Sequence, residues 1–269
     1  MQRAVRGAAG LCALLACTAL CGCDESFAGR KKVRLRGGEI SAEYVMDETA
    51  LAACAENQTY EIVIDGLLLD ETQRSHVSVV YAETPYVNAV FDRELLDYGF
   101  SVTLEPGRIV VSTDYDWIYS AQNFYLEIGA NYDRLTLGGG YDLYVDAGSI
   151  ESLSISARDY VDCWVEYLSV DLLHIQLNGE GALYFYNGRA FKVEADVRGS
   201  YSVDARRLTT RYCVLDISGY CVSQWSVRDS LRLDFTGGGR VSYYGYPSVT
   251  KLLSGPGELI FEDKDVFSD

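Results

Sequence analysis

From about residue 125 the chain repeats itself with a short, nearly fixed period, and this restricts the fold more than any other feature of the sequence. The alternating segments Leu135-Thr-Leu137, Leu153-Ser-Ile155, Leu173-His-Ile175-Gln-Leu177, Phe191-Lys-Val193-Glu-Ala195, Cys213-Val-Leu215-Asp-Ile217 and Leu231-Arg-Leu233-Asp-Phe235 start 18, 20, 18, 22 and 18 residues apart. A last unit, Val249 to Ser254, follows 18 residues later. In each unit a polar turn, such as Asn178-Gly179-Glu180-Gly181 or Thr236-Gly237-Gly238-Gly239, leads into a second strand, such as Leu183 to Tyr186 or Val241 to Tyr244.

Side chains of a strand alternate between faces. Leu, Ile, Val, Phe and Cys therefore point one way, and Thr136, Ser154, His174, Gln176, Lys192, Glu194, Asp216, Arg232 and Asp234 the other. One such unit cannot bury its apolar face, but a stack of them can, each strand bonding to its counterpart one coil on at about 4.8 Å. Parallel strands joined by short connections favour a right-handed path. The expected fold is all-β, a right-handed β-helix or β-roll with coils of about 18–22 residues. Corner glycines are expected to supply positive φ.

Before the repeat, period-two runs at Tyr60 to Ile64, Val77 to Tyr81, Val87 to Phe91, Phe100 to Leu104 and Arg108 to Ser112 read as further strands. Ala42 to Asn57 is the one place suited to a short helix.

The first 22 residues carry Arg3 and Arg6, an apolar run from Ala8 to Leu20, and then Leu20-Cys21-Gly22-Cys23. This is a signal peptide too short to span a bilayer, and Leu at −3 with Gly at −1 before a cysteine fits lipoprotein cleavage and acylation at Cys23. Leu14-Leu15-Ala16-Cys17 is a second match, but it leaves a shorter apolar run. The chain is thus expected to be exported and held to a membrane by a lipid anchor, facing outside the cytoplasm. Cleavage removes two arginines and no acid, taking the net charge from −16 to −18. So negative a surface disfavours nucleic acid as a partner.

Cys54, Cys163, Cys213 and Cys221 are too few and too irregularly spaced for a disulfide scaffold or a zinc site. Cys213 and Cys221 are the pair if a disulfide forms, and buried free thiols are the alternative.

The C-terminal segment Phe235-Thr-Gly-Gly-Gly-Arg-Val241-Ser-Tyr-Tyr244-Gly245-Tyr-Pro247-Ser-Val249-Thr-Lys-Leu-Leu-Ser254-Gly255-Pro-Gly257 resembles the closing motif of the putative auto-transporter adhesin, head GIN domain family. Ile217-Ser-Gly219, Leu177-Asn-Gly179 and the segment from Phe100 to Val111 are also similar to it. The resemblance implies a β-solenoid on an exported or anchored bacterial protein, over residues 60–269. Residues 1–22 would then be the lipoprotein signal peptide, and 23–59 the anchor with an N-terminal linker or cap.

Motifs for catalysis are scarce. No serine sits in a nucleophile elbow. His76 and His174 are the only histidines, and His174 reads as a solvated outward residue. Gly138-Gly-Gly-Tyr-Asp142 with Asp146 matches calcium-binding nonapeptide turns once, without the tandem copies that complete an oxygen shell, so no metal or cofactor is expected. Asp159 and Asp162 form a carboxylate pair of the kind used in glycoside chemistry. The 21 tyrosines stand out, with Tyr184, Tyr186, Tyr243, Tyr244 and Tyr246 as a candidate outward binding face for a glycan or surface protein, against a reading as cross-coil packing. The functional expectation is a non-enzymatic, membrane-anchored module for adhesion, ligand binding or envelope structure. The alternatives are a polysaccharide-active enzyme using paired carboxylates and an envelope sensor or regulatory partner.

Overall fold

The computed structural model describes residues 32–35, 37–46, 58–68, 75–114, 117–120 and 123–262. Cys23, Cys54 and residues 47–57 of the expected helix lie outside them. Residues 42–45 of that expected helix are extended, within a strand.

In chain order the strands are β1 (Lys32–Leu35), β2 (Glu39–Val45), β3 (Tyr60–Leu68), β4 (Ser75–Tyr81), β5 (Tyr86–Asp92), β6 (Ser101–Glu105), β7 (Arg108–Ser112), β8 (Trp117–Ser120) and β9 (Phe124–Ala130). They continue as β10 (Tyr132–Leu177), β11 (Glu180–Phe185), β12 (Gly188–Val197), β13 (Ser200–Ile217), β14 (Tyr220–Phe235), β15 (Gly238–Tyr244), β16 (Ser248–Leu253) and β17 (Glu258–Phe261). β10 runs for 46 residues, more than two coils, with register irregularities against β3 between Tyr132 and Arg134 and between Leu137 and Gly139.

From β10 onward every pairing is parallel, strand upon strand one coil later, as a solenoid requires. The stacked columns are Leu173, Val193, Cys213, Leu231 and Val249, and beside it Ile175, Ala195, Leu215 and Leu233. All but the terminal Val249 are buried. Burying each Leu, Ile or Val is worth about 1.5–3 kcal/mol, and the repeat multiplies that small gain along the stack. One sequence expectation needs correction: the fourth unit starts at Val193, not Phe191. The true spacing from Leu173 is then 20, 20, 18 and 18, and Phe191 is left outside the core, 48% exposed.

The corner glycines also work differently from expectation. Gly179, Gly199, Gly219 and Gly237 stack at one corner, and none has positive φ. A Cβ on any of them would strike backbone one coil earlier, so they are glycines because the coils approach too closely for a side chain. Positive φ belongs instead to their neighbours Gly181 and Gly239, in the same turns.

The N-terminal half departs from simple winding. β3 lies between β7 and the start of β10, and β4 lies between β9 and the later part of β10. β3 and β4 are therefore sandwiched between β7 and β9 on one side and the coil that begins at Tyr132 on the other. Beyond β9 the stacking turns antiparallel through β5 and β2, and β6 closes antiparallel on β7. These strands cover the N-terminal edge, over a cluster of Phe91, Phe100 and Phe124. β1 and β8 form a separate two-stranded parallel ladder.

Cys163, Cys213 and Cys221 are buried and unpaired, so Cys213 and Cys221 do not form a disulfide. Burial pushes the Cys221 thiol up to about 11.

Candidate binding groove

The five tyrosines singled out from the sequence do not share one face. Tyr184 stands on the outer face of β11, and Tyr186 follows it, exposed, just past the strand. Tyr243 sits in register with buried Trp225 and with Phe261, so it belongs to an inward column that is only partly covered near the C-terminal end. Tyr244 is buried to 8% exposure and donates its hydroxyl to Gln224 Oε1 at 3.0 Å. Tyr246 is 81% exposed, its ring 5.7 Å from that of Phe261.

Tyr184 is instead the last rung of an aromatic column that the sequence reading did not assemble. Tyr125, His76, Tyr144, Trp164 and Tyr184 stack in that order, with centroids 5.2–5.7 Å apart and planes 16–19° from parallel. The 20-residue spacing of Tyr144, Trp164 and Tyr184 was the available signal. The inner rings His76, Tyr144 and Trp164 are covered on both faces and the end rings Tyr125 and Tyr184 on one, so most of the faces a sugar would stack on are already occupied. Contacts of this kind contribute about 0.5–1.5 kcal/mol per pair beyond area burial, so the column reads as a brace. At its N-terminal end Glu127 accepts the hydroxyls of Tyr86 and Tyr125 at 3.0 and 2.9 Å. Burial first, and that carboxylate second, push Tyr125 up to about 12.

The other candidates are absorbed into the frame. His174 Nδ1 lies 3.0 Å from Glu194 Oε2, and Glu194 is also held by Lys192, whose ammonium keeps the carboxyl below its ordinary range. The Gly138–Gly140 run lies inside β10 and makes room for the Arg158–Asp65 ion pair at 2.5 Å. Tyr141 in that run is buried, its hydroxyl donating to Ile64 O at 3.3 Å. Asp159 occupies the corner beneath Gly179 with φ 62°, its Oδ2 4.0 Å from Arg158 Nε. Asp162 is half-buried, and burial raises its carboxyl above the usual range. Among the described residues no group of three or more His, Cys, Asp or Glu is placed to hold a metal ion, and no helix is long and apolar enough to cross a membrane.

The concave feature that the repeat does build lies on another side of the stack. A groove of about 720 Å³ runs along the solenoid axis, and successive coils supply the same positions to it. Its floor is Ile150, Val170 and Ala190. One wall is Ser149, Ser169, Arg189 and Thr209, and the other is Glu151, Asp171, Phe191, Arg211 and Arg228. Cross-coil register fixes these columns: Ser169 pairs with Arg189 and Val170 with Ala190, then Arg189 with Thr209. Arg189 Nε donates to Ser169 Oγ at 2.9 Å. The guanidinium of Arg211 lies 5.5 Å over the Phe191 ring, and its Nε is 2.7 Å from Asp229 Oδ2. The two-residue offset of Phe191, misread from sequence as the start of an inward strand, is what places its ring in the groove wall.

Residues 73–247 match the family model described as putative auto-transporter adhesin, head GIN domain. Several solved structures share the fold. A putative adhesin from Bacteroides fragilis NCTC 9343 has a TM-score of 0.65 at 14% identity, covering 86% of this chain and 100% of that one. A putative adhesin from Parabacteroides merdae ATCC 43184 has a TM-score of 0.60 at 16% identity, covering 86% and 99%. A protein from Parabacteroides distasonis ATCC 8503, described as a putative lipid binding protein, has a TM-score of 0.56 at 13% identity, covering 87% and 100%. No curated protein is significantly similar to the chain.

Proposed function

This chain belongs to the putative auto-transporter adhesin, head GIN domain family, and we propose that it is an exported, non-enzymatic binding module, tethered to a membrane by acyl chains on Cys23. The groove carries the reading. It is the place where the repeat gives an open, elongated concavity with an apolar floor and polar walls, the composition of a ligand site. A solenoid suits this role because each coil is rigidly registered on the next, so a ligand lying along the axis meets preordered side chains and loses little affinity to ordering. The paired-carboxylate alternative has weaker support: Asp159 is a corner residue beside Arg158, and Asp162 is half-buried against the backbone of Ala182 in the next coil.

Two measurements test the proposal. Cells producing the Cys23→Ala variant should lose the protein from the membrane fraction or retain it uncleaved, and normal anchoring would refute the lipid tether. Cells displaying the Ser149→Trp variant, which fills the exposed groove wall, should adhere less to glycan- or matrix-coated surfaces than cells displaying Gln176→Trp, on an outward strand face. Equal adhesion by the two variants would remove the groove from the function.

A further inference from the structure

The wall containing Phe191 is ordered by charge along the axis: Glu151 and Asp171 at one end, the Phe191 ring in the middle, and Arg211 and Arg228 at the other. Arg189, on the opposite wall beside Phe191, brings a third guanidinium to the basic side. Three arginines converging on one concavity run against the charge of a chain whose net charge is −16. Arg189 is held by Ser169, and Arg211 by Asp229 and the Phe191 ring, before any ligand arrives. Arg189 has no carboxylate partner among the described residues. A planar guanidinium fixed at one nitrogen is arranged to grip an anion with its remaining donors.

From this we infer that the groove takes an acidic oligosaccharide, a linear sugar chain whose carboxylate-bearing residue lies among Arg189, Arg211 and Arg228. The inference rests on the groove being the binding surface. The Phe191 ring has Arg211 over it and Tyr212 packed against it edge-on at 5.2 Å, but it stays 48% exposed and leaves apolar surface for a sugar ring beside the guanidinium. Glu151, Asp171 and the wall hydroxyls of Ser149 and Thr209 accept the hydroxyl protons of further sugar units. A peptide is less well served, because the strands lining the groove already spend their backbone groups on the coils before and after, leaving no open edge for strand addition.

The test is calorimetric titration of the full chain in detergent micelles with trigalacturonate, its methyl ester and sialyllactose, beside sedimentation with phosphatidylglycerol and phosphatidylcholine vesicles. Trigalacturonate or sialyllactose should bind, and the ester should bind at least tenfold more weakly than trigalacturonate. Arg189→Ala and Arg228→Ala should each weaken binding tenfold or more and Phe191→Ala severalfold, whereas Gln176→Ala leaves it unchanged. Each variant is first checked for an unchanged unfolding midpoint. Equal affinity for acid and ester, no binding of either acidic sugar, or saturable binding confined to phosphatidylglycerol vesicles would overturn the inference. If Ser149→Trp still lowers adhesion relative to Gln176→Trp in any of those cases, the groove survives as the binding surface and only its ligand class has been misassigned.

Discussion

Gly199→Ala is the change that most directly probes how closely the coils are packed. A Cβ at this position would fall inside the van der Waals sphere of Gly179 O and 2.8 Å from Gly179 C and N, where 3.4–4 Å is ordinary contact. The two corners must therefore part by at least 0.6 Å, and by more at the oxygen. That opening stretches the bonds from Ser200 N to Gly179 O and from Arg198 N to Leu177 O, both 2.8 Å. Losing two such bonds costs about 1–3 kcal/mol at about 0.5–1.5 each. The stiffer unfolded chain of an alanine variant returns up to about 1 kcal/mol. The net expectation is a loss of about 1–2 kcal/mol, or about 2–8 °C in unfolding midpoint for a domain of this size. Gly38→Ala is the control, since nothing lies within 4 Å of a Cβ there and its φ is not in the left-handed region, so it should be neutral or slightly stabilising. Urea titration measures both, and hydrogen exchange should show protection lost first around Arg198 and Ser200 in the Gly199 variant. If the two alanine variants behave alike, close approach is not why the corner is glycine.

Two further perturbations address the core and a buried charge. Leu215→Asp places an unpaired carboxylate between Ala195 and Leu233 and should cost several kcal/mol, while Asp216→Ala on the outward face stays within about 0.5 kcal/mol in the same denaturant assay. Similar costs would contradict the inward and outward assignment. Asp162 has a raised carboxyl pKa, mainly from burial, and its Oδ1 has no partner, so its charged form costs stability at neutral pH. That cost fades as the pH falls through the raised folded value towards the ordinary carboxylate value of 3.8, because the folded carboxyl takes up its proton before the unfolded one does. Asp162→Asn should thus raise the melting midpoint at pH 7 and converge on the parent near pH 4, and a gain independent of pH would contradict it.

The C-terminal coils were legible because a stack forces the same side-chain chemistry to recur at a fixed interval, and Leu173, Cys213, Leu231 and Val249 carry it openly. Phe191 misled for a definite reason. It is apolar and two residues before Val193, so alternation alone places both on the inward face, whereas register puts Val193 over Leu173 and turns Phe191 outward. The columns of Tyr144, Trp164 and Tyr184 and of Ser169, Arg189 and Thr209 recur at the same 20-residue spacing, yet their members differ in chemistry, so hydrophobic pattern does not mark them. Out-of-order stacking in the N-terminal half could not be read, because Tyr60 pairs with Tyr132, 72 positions further along the chain, and no local signal encodes that partner. Residues 42–45 were misjudged because a short antiparallel cap strand carries no repeat to identify it.

For the export proposed above, the sandwiched position of β3 and β4 has a consequence for how the protein is delivered. A chain threaded through an export channel emerges from its N-terminus, so β3 and β4 reach the far side long before either of their neighbours. Both flanks of these two strands stay open until residues 108–130 have followed, and one remains open until residue 146 arrives. For that interval the most aliphatic segment of the N-terminal half, Ile62 to Leu67 with Val77 to Val80, presents two bare strand margins to any other nascent chain. Winding cannot proceed coil by coil behind the translocating end. It must wait for the return at Tyr132, which makes the middle of the chain, rather than its first residues, the point at which secretion turns into folding.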